Sequence, residues 1–230
     1  MSGYVSKLSP LRVEELRRWH EDVSAGLHQL GAHDVEYLGL RLHVPEQVFP
    51  PTPTSDLLGR EVIARVRPGH RVLDMGCGAG ANAILAAKVT DEVVAVDVNP
   101  HAVAATAVNA ERNGVAASVK CIESNMFSSV DGEYDVIVID PPFRWFTPRD
   151  PLEQAITDEN YSALERFFAD AARHLRPNGY VLLFFGTSGD VEHLDDLITT
   201  AGMKSQVIAE RTINTRGQDA TYFVRLLTDR

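Results

Sequence analysis

The chain has 230 residues, 44% of them hydrophobic, enough to bury one full core and little more. Its formal net charge is −10 and it has no lysine- or arginine-rich run, which disfavours a role built on neutralising the phosphates of RNA or DNA. The two cysteines, Cys77 and Cys121, form no CxxC pair and have no histidine at ligand spacing, so neither a disulfide framework nor a metal site is expected.

Met1-Ser2-Gly3-Tyr4 leads into charged sequence without the apolar centre of a signal peptide. The longest strongly apolar stretch, Tyr180 to Phe185, falls far short of the ~20 residues that span a bilayer. A cytoplasmic protein with no membrane partner is expected. Ser9-Pro10 supplies an N-cap and a first-turn proline, and Leu16, Trp19, Val23, Leu27 and Leu30 then recur at helical intervals until Gly31. This predicts an amphipathic helix that packs on the core or covers a cleft. Tyr37 to Val44 alternates like a strand, with Gln47-Val48-Phe49 as its expected partner. A proline-stiffened loop follows (Pro45, Pro50, Pro51, Pro53), then a helix from about Thr54 to Val66, ended by Pro68-Gly69.

From there strands and helices alternate. Strands are predicted near residues 71–75, 93–97, 117–122, 134–139 and 180–186, and helices near 81–89, 100–113, 159–175 and 190–201. That alternation predicts a parallel sheet with helices on both faces. The last two strands, near 206–210 and 221–227, are separated only by the short link at Asn214-Thr215-Arg216-Gly217-Gln218, which suits a hairpin and cannot cross over a sheet. The division expected is an N-terminal helical and hairpin extension over residues 1–50 and an α/β domain over 51–230.

Three stations carry chemistry. In Asp74-Met75-Gly76-Cys77-Gly78-Ala79-Gly80 a strand delivers an acid and then three alternating glycines, followed by alanine-rich helical sequence. Residues without side chains let the backbone take left-handed angles and approach a nucleotide-like ligand closely. The helix that opens there offers free N–H groups to an anionic group. Gly76-x-Gly78-x-x-Ala81 also fits a dinucleotide fingerprint, so the loop alone is ambiguous. The second station is Asp97, at the end of the next strand and roughly 20 residues after Gly76, where an acid takes ribose hydroxyls. The third is Asp140-Pro141-Pro142-Phe143, directly after an apolar strand. A nicotinamide enzyme has no use for that tetrapeptide. An enzyme that methylates a planar nitrogen does: the lone pair is delocalised, and acceptors aimed at the N–H bonds make it nucleophilic.

In combination the three stations resemble a class I S-adenosylmethionine-dependent methyltransferase. The segment from Pro51 to Phe143 is similar to the HemK-like glutamine N5-methyltransferases and the wider small methyltransferase group, with Pro51-Thr52-Pro53-Thr54-Ser55-Asp56-Leu57-Leu58 matching their Pro-Arg-Pro-Glu-Thr-Glu-x-Leu element. The resemblance implies a Rossmann-like, seven-stranded, mostly parallel sheet closed by a C-terminal antiparallel hairpin, and S-adenosyl-L-methionine as cofactor. Gly76, Gly78 and Gly80 then underlie the methionine part of the cofactor and Asp74 orients the loop or the amino group. Asp97 takes the ribose, Val98 packs on an adenine face, Asn125 meets the adenine amino group, and Met126 is its apolar neighbour. At the reacting end Asp140 and a proline carbonyl accept the N–H bonds, Pro141 and Pro142 fix the backbone, and Phe143 offers a stacking face.

Two departures shift the expected acceptor. The family's usual Asn-Pro-Pro-Tyr is Asp-Pro-Pro-Phe here, and Thr52 and Thr54 replace the Arg and Glu of the upstream element. An ionised Asp140 offers acceptors only, so it favours a nitrogen showing two N–H groups side by side, such as a guanidinium or the guanine N1/N2 edge, over the glutamine carboxamide. The insertion between Phe143 and Tyr161, with Arg144, Trp145, Phe146, Arg149 and Glu153, is expected to wall the acceptor pocket, and Arg144 or Arg149 to meet a carboxylate. The eight histidines are scattered singly, none where a general base is needed. The expected function is therefore N-methylation of a planar amino or guanidino nitrogen of a small metabolite. RNA guanine-N2 or adenine-N6 and protein glutamine are the rival acceptors. A catalytically silent methyltransferase-fold binding subunit is the non-enzymatic rival.

Overall fold

The computed structural model describes residues 4–215 and 218–229. Helix α1 (Pro10–Leu30) starts where the Ser9 hydroxyl accepts the Arg12 N–H and stops at Gly31, whose positive φ ends the helix. Its buried face is Leu16, His20, Ser24 and Leu27, while Leu30 lies half exposed at the end.

Strands β1 (His33–Tyr37) and β2 (Leu40–Val44) then form a two-stranded antiparallel hairpin. This corrects the expected single strand over 37–44 paired with 47–49. Leu38 and Gly39 both take positive φ, 47° and 83°, so they make a two-residue turn of the kind that matches strand twist. A leucine is a poor advertisement for such a turn, which is why the alternation ran straight through it. Gln47 and Val48 instead belong to a turn over Pro45–Val48, closed by the Val48 N–H on the Pro45 carbonyl.

After helix α2 (Asp56–Arg65) come β3 (Arg71–Met75), α3 (Ala81–Ala87), β4 (Glu92–Asp97), α4 (Pro100–Arg112), β5 (Val119–Glu123) and β6 (Tyr134–Ile139). The second half holds a short α5 (Pro151–Gln154), α6 (Ser162–Asp170), β7 (Leu175–Gly186), α7 (Val191–Thr200), β8 (Lys204–Thr215) and β9 (Gln218–Thr228). The seven-stranded sheet runs β5-β4-β3-β6-β7-β9-β8. Neighbours are parallel from β5 to β7, and β9 lies antiparallel between β7 and β8. The sequence-predicted link of the closing hairpin includes Arg216 and Gly217, which lie outside the described residues.

Alternate strand residues feed two cores. Val72, Val136, Val138 and Phe184 pack under α2, α3 and the β1–β2 hairpin, whereas Leu73, Ile137, Leu183 and Phe185 pack under α6 and α7. The chain leaves β3 for one side of the sheet through β4 and for the other through β6. The C-terminal ends of β3, β4 and β6 therefore border a topological switch point, the place where such sheets leave a crevice. No described helix is long and apolar enough to cross a membrane.

The hairpin is fixed to this crevice by a buried polar side chain. Asn109 of α4 is fully buried; its Nδ2 donates to the carbonyls of His43 (2.8 Å) and Ala79 (2.9 Å), and its Oδ1 accepts the His43 N–H (2.7 Å). Asn109→Ala leaves these groups unpaired in the interior, at about 1–3 kcal/mol for each group that water does not reach. Urea unfolding should show a loss of at least about 2 kcal/mol; an unchanged midpoint and slope would show that the tether does not hold the two parts together.

Candidate active site

The glycine turn is built by hydrogen bonds to its neighbouring strand. The N–H groups of Gly76 and Cys77 both donate to the Val96 carbonyl (2.8 and 2.9 Å), and Gly80 N–H closes back on the Cys77 carbonyl (2.8 Å). Gly76, Gly78 and Gly80 have φ of 77°, 54° and 87°. Two of them are needed for different reasons. A Cβ on Gly80 would sit 2.9 Å from Thr106 Cγ2, whereas one on Gly76 would meet nothing within 4 Å and would project into the open space a ligand needs.

Asp97 faces that space and also shapes it. One carboxylate oxygen accepts the Gly78 N–H (3.0 Å) and the other the Asn99 N–H (2.9 Å). Burial raises its pKa, opposed by these backbone donors. Asp74 is 1% exposed and accepts the Ala83 N–H at the start of α3 (2.9 Å), so it orients the helix from beneath. Burial, with Asp97 nearby, pushes Asp74 up to about 7.

A cavity of about 400 Å³ opens above the turn. Of the sequence-predicted residues, Gly76, Gly78, Asp97, Val98, Asn125, Met126, Asp140 and Pro142 all line it. Val98 is 52% exposed, free to meet a flat ring. The Asn125 amide oxygen already accepts from Arg166 (3.2 Å), another lining residue. Asp74, Gly80 and Pro141 are absent from the lining; Asp74 and Gly80 support the turn from behind through their bonds to Ala83 and Cys77.

Phe143 differs from expectation. Its ring is absent from the cavity lining and packs against Phe185, Phe184 and Tyr222, with centroids 5.0, 5.6 and 6.0 Å away. Its backbone is the part tied to the site: the Phe143 carbonyl accepts the Tyr161 hydroxyl (2.5 Å), which itself accepts the Asp190 N–H (2.8 Å). The physical reason is the aromatic floor of β7, which captures the ring where it would otherwise face a ligand.

Composition and spacing also missed several groups. Tyr37 and Ser55 line the cavity around Asp140, and the buried Tyr37 hydroxyl donates to the Ser55 carbonyl (2.7 Å). Thr106, on the buried face of α4, donates to the Gly78 carbonyl (3.1 Å). The available signal was polar residues at helical spacing (Thr106, Asn109) on a face otherwise made of alanines. The insertion reaches the cavity through Pro148, Pro151, Gln154, Thr157 and Asp158, whereas Arg144, Trp145, Phe146, Arg149 and Glu153, the residues expected to wall it, are absent from the lining. Overall the lining sets Asp97, Asp140, Asp158 and Glu159 against Arg166 alone, an environment that favours a cation.

With this geometry in view, the chain can be set beside known proteins. A family model described as the methyltransferase small domain matches residues 53–212. The chain belongs to that family. It is a class I S-adenosylmethionine-dependent methyltransferase, and the glycine turn and the acidic cavity fit that cofactor. A protein of Methanocaldococcus jannaschii bearing the provisional name protein N5-glutamine methyltransferase is 27% identical over 183 residues, 76% of this chain and 90% of that protein. The release factor glutamine methyltransferase of Salmonella typhimurium is 34% identical over 168 residues, 66% of this chain and 59% of that protein. Among solved structures, the ribosomal protein L11 methylase of Lactobacillus delbrueckii superposes with a TM-score of 0.59 at 19% identity, over 80% of this chain and 81% of that one. A 16S rRNA N2 methyltransferase of T. thermophilus, in complex with AdoMet and guanosine, does so with 0.62 at 23% identity, over 86% and 50%. At those identities the likeness is one of fold. The chain thus spans nearly all of the archaeal relative but less than two thirds of the release factor enzyme.

Gly76→Ala separates folding from cofactor binding. The positive φ costs the fold about 1 kcal/mol, while the new methyl enters space that the ligand must fill. Calorimetry with S-adenosylhomocysteine should show at least about tenfold weaker binding, with the melting temperature only slightly lowered. Equal affinity would place the cofactor elsewhere.

Proposed function

We propose that this methyltransferase acts on a planar nitrogen of a small metabolite, held by Asp140 and the adjoining proline carbonyl. The observation that carries the reading is that Asp140, at the tip of β6, lines one cavity together with Gly76, Gly78 and Asp97. When bound, S-adenosylmethionine supplies a methyl carbon on a sulfonium, ready for in-line displacement. The chain's own work is alignment. Asp140 accepts from the N–H bonds of the acceptor, Pro141 and Pro142 keep the backbone from turning away, and Tyr161 anchors the carbonyl of Phe143 behind them. Four lining carboxylates against one arginine suit an amino or guanidino compound and oppose a polyanion. That balance is what sets RNA guanine-N2 or adenine-N6 behind a metabolite. The cytoplasm, where the cofactor is made, is the compartment this reading assigns.

A second reading, protein glutamine, gains from one observation. Burial, with Asp74 nearby, pushes Asp140 up to about 7, against the opposing effect of the Ser55 hydroxyl. A protonated carboxyl offers one donor and one acceptor, as an asparagine amide does, and so matches a carboxamide. The archaeal relative's name points the same way.

The raised values have a sign that can be checked. Between the ordinary 3.8 and about 7, the folded chain holds protons on Asp74 and Asp140 that the unfolded chain has released. Stability of the ligand-free protein from these groups is therefore complete at low pH and lost as pH rises through that window. Asp140→Asn removes one of the two groups. Thermal melts from roughly pH 5 to pH 8 should fall less steeply in the variant; parallel curves would mean that Asp140 titrates normally.

The acceptor class is decided by incubating the chain with methyl-labelled S-adenosylmethionine and three fractions of a cell extract: small molecules, protein and RNA. Label is expected in the small-molecule fraction, and Asp140→Asn should cut its rate by at least about tenfold while leaving cofactor affinity unchanged. Label confined to protein or RNA would overturn the metabolite assignment.

A further inference from the structure

Thr52 and Thr54, which replace the Arg and Glu of the family's upstream element, stand apart from the cavity wall. The fold joins them to each other and to Ser55. Thr54 Oγ1 lies 2.9 Å from Thr52 Oγ1, which lies 2.9 Å from Ser55 Oγ. Backbone groups lock the same turn. Ser55 Oγ accepts the Thr52 N–H (3.3 Å), Thr52 Oγ1 accepts the Ser55 N–H (3.2 Å), and the Tyr37 hydroxyl donates to the Ser55 carbonyl (2.7 Å). Arg211 holds the outside of the turn, on the Pro53 carbonyl (3.0 Å) and the Asp56 carboxylate (2.7 Å). Three hydroxyls are thereby held in a row.

The row has an inner and an outer end. Ser55 is buried and lines the cavity together with Asp140, whose carboxyl it hydrogen-bonds. Thr52 and Thr54 are part exposed and absent from the lining, so the row leads away from the cavity. A hydroxyl both donates and accepts, so such a row can be polarised either way. With Asp140 ionised, each hydroxyl proton points inward, towards the carboxylate. With Asp140 protonated, each points outward. An arginine in place of Thr52 would offer donors only and could not take part. The other groups that act on this corner are Asp74 of β3, which raises Asp140, and Tyr37 of β1, whose phenol burial keeps protonated. Asp56 is paired with Arg60 and Arg211.

We propose that Ser55, Thr52 and Thr54 position Asp140 and carry away the proton that methylation releases. The inference deepens the reading of Asp140 as the group that meets the acceptor nitrogen, and rests on it. When the nitrogen lone pair forms the new bond to carbon, the carbon–sulfur electron pair leaves with sulfur. The nitrogen is left with a positive charge and a surplus proton. That proton passes to the Asp140 carboxylate, which returns the nitrogen to neutrality. Asp140 then gives a proton to Ser55 Oγ, Ser55 to Thr52 Oγ1, Thr52 to Thr54 Oγ1, and Thr54 to water. Each side-chain oxygen ends with as many protons as it began, and the carboxylate is restored.

The test uses the full chain, isotope-labelled at its aspartate carboxyls and read by NMR, the Asp140 signal being the one lost in Asp140→Asn. Ser55→Ala should move the Asp140 titration midpoint up by at least about half a pH unit, and Ser55→Thr, which keeps the hydroxyl, should bring it back. Rates come from methyl-labelled S-adenosylmethionine and whichever extract fraction takes the label. Ionised Asp140 is the working form, so the rate rises with pH, and the Ser55→Ala profile should shift to higher pH by the same interval. Thr52→Val breaks the row one link further out, while the Ser55 N–H keeps the Thr52 carbonyl (3.1 Å). It should leave the Asp140 midpoint in place yet slow transfer at least about threefold in dilute buffer. The rate should recover as imidazole is added, with S-adenosylhomocysteine affinity and melting temperature unchanged. An unmoved midpoint in Ser55→Ala overturns the positioning role. A Thr52→Val rate equal to wild type at every buffer concentration overturns the relay, and does so even where Ser55→Ala fails to fold. An Asp140→Asn rate equal to wild type would instead remove Asp140 from the reaction and the relay with it, an outcome distinct from either of these.

Discussion

The Asp97 carboxylate is the point on which the site turns. One of its oxygens holds the Gly78 N–H and the other the Asn99 N–H, so a single side chain joins the glycine turn to the start of α4. The turn needs such fixed points, since glycine backbones are the least self-organising in the chain. The Val96 carbonyl supplies another from the same strand, taking two N–H groups at once. Asp97 therefore lines the cavity and also shapes the glycine turn beneath it.

Much of this was legible in the sequence because it depends on backbone chemistry. Alternate glycines after an apolar strand require positive φ, an acid about 20 residues on requires a neighbouring strand end, and two prolines after a strand require a rigid stop. Each requirement is local, and each was met where the residues stood. The C-terminal hairpin was equally readable, because a short link forbids a crossover. What stayed hidden depended on partners distant in the chain. The Leu38-Gly39 turn uses a left-handed leucine that no pattern advertises. Phe143 was expected to face a ligand, but its ring belongs to Phe184, Phe185 and Tyr222, which arrive from strands far along the chain. Arg144 and Arg149 were indistinguishable until Glu21 and Glu153 were seen to take only one of them.

The acids of the site form a graded set. Asp74 lies deepest, outside the cavity lining, while Asp97 at the end of β4 and Asp140 after β6 both line the cavity. Burial raises all three, and Asp74 raises Asp140 further. A cleft of this kind is uncomfortable when empty, because ionising one carboxyl disfavours the next. A sulfonium relieves that discomfort directly, since opposite charge lowers what like charge had raised. The same logic makes the demethylated product, which has lost its positive charge, the weaker match.

The β1–β2 hairpin and the loop after it are joined to the crevice through polar tethers. The Asn99 amide donates to the Gln47 carbonyl (2.8 Å), Asn109 clasps His43, and the Tyr37 hydroxyl reaches the Ser55 carbonyl. Two of these tethers spring from α4, the helix that also holds the glycine turn through Thr106 and Asn109. Apolar packing alone would let the hairpin slide, because it has no preferred register. Directional bonds to backbone carbonyls fix its position. The hairpin and the glycine turn, on two sides of the cavity, are thereby both referenced to one helix.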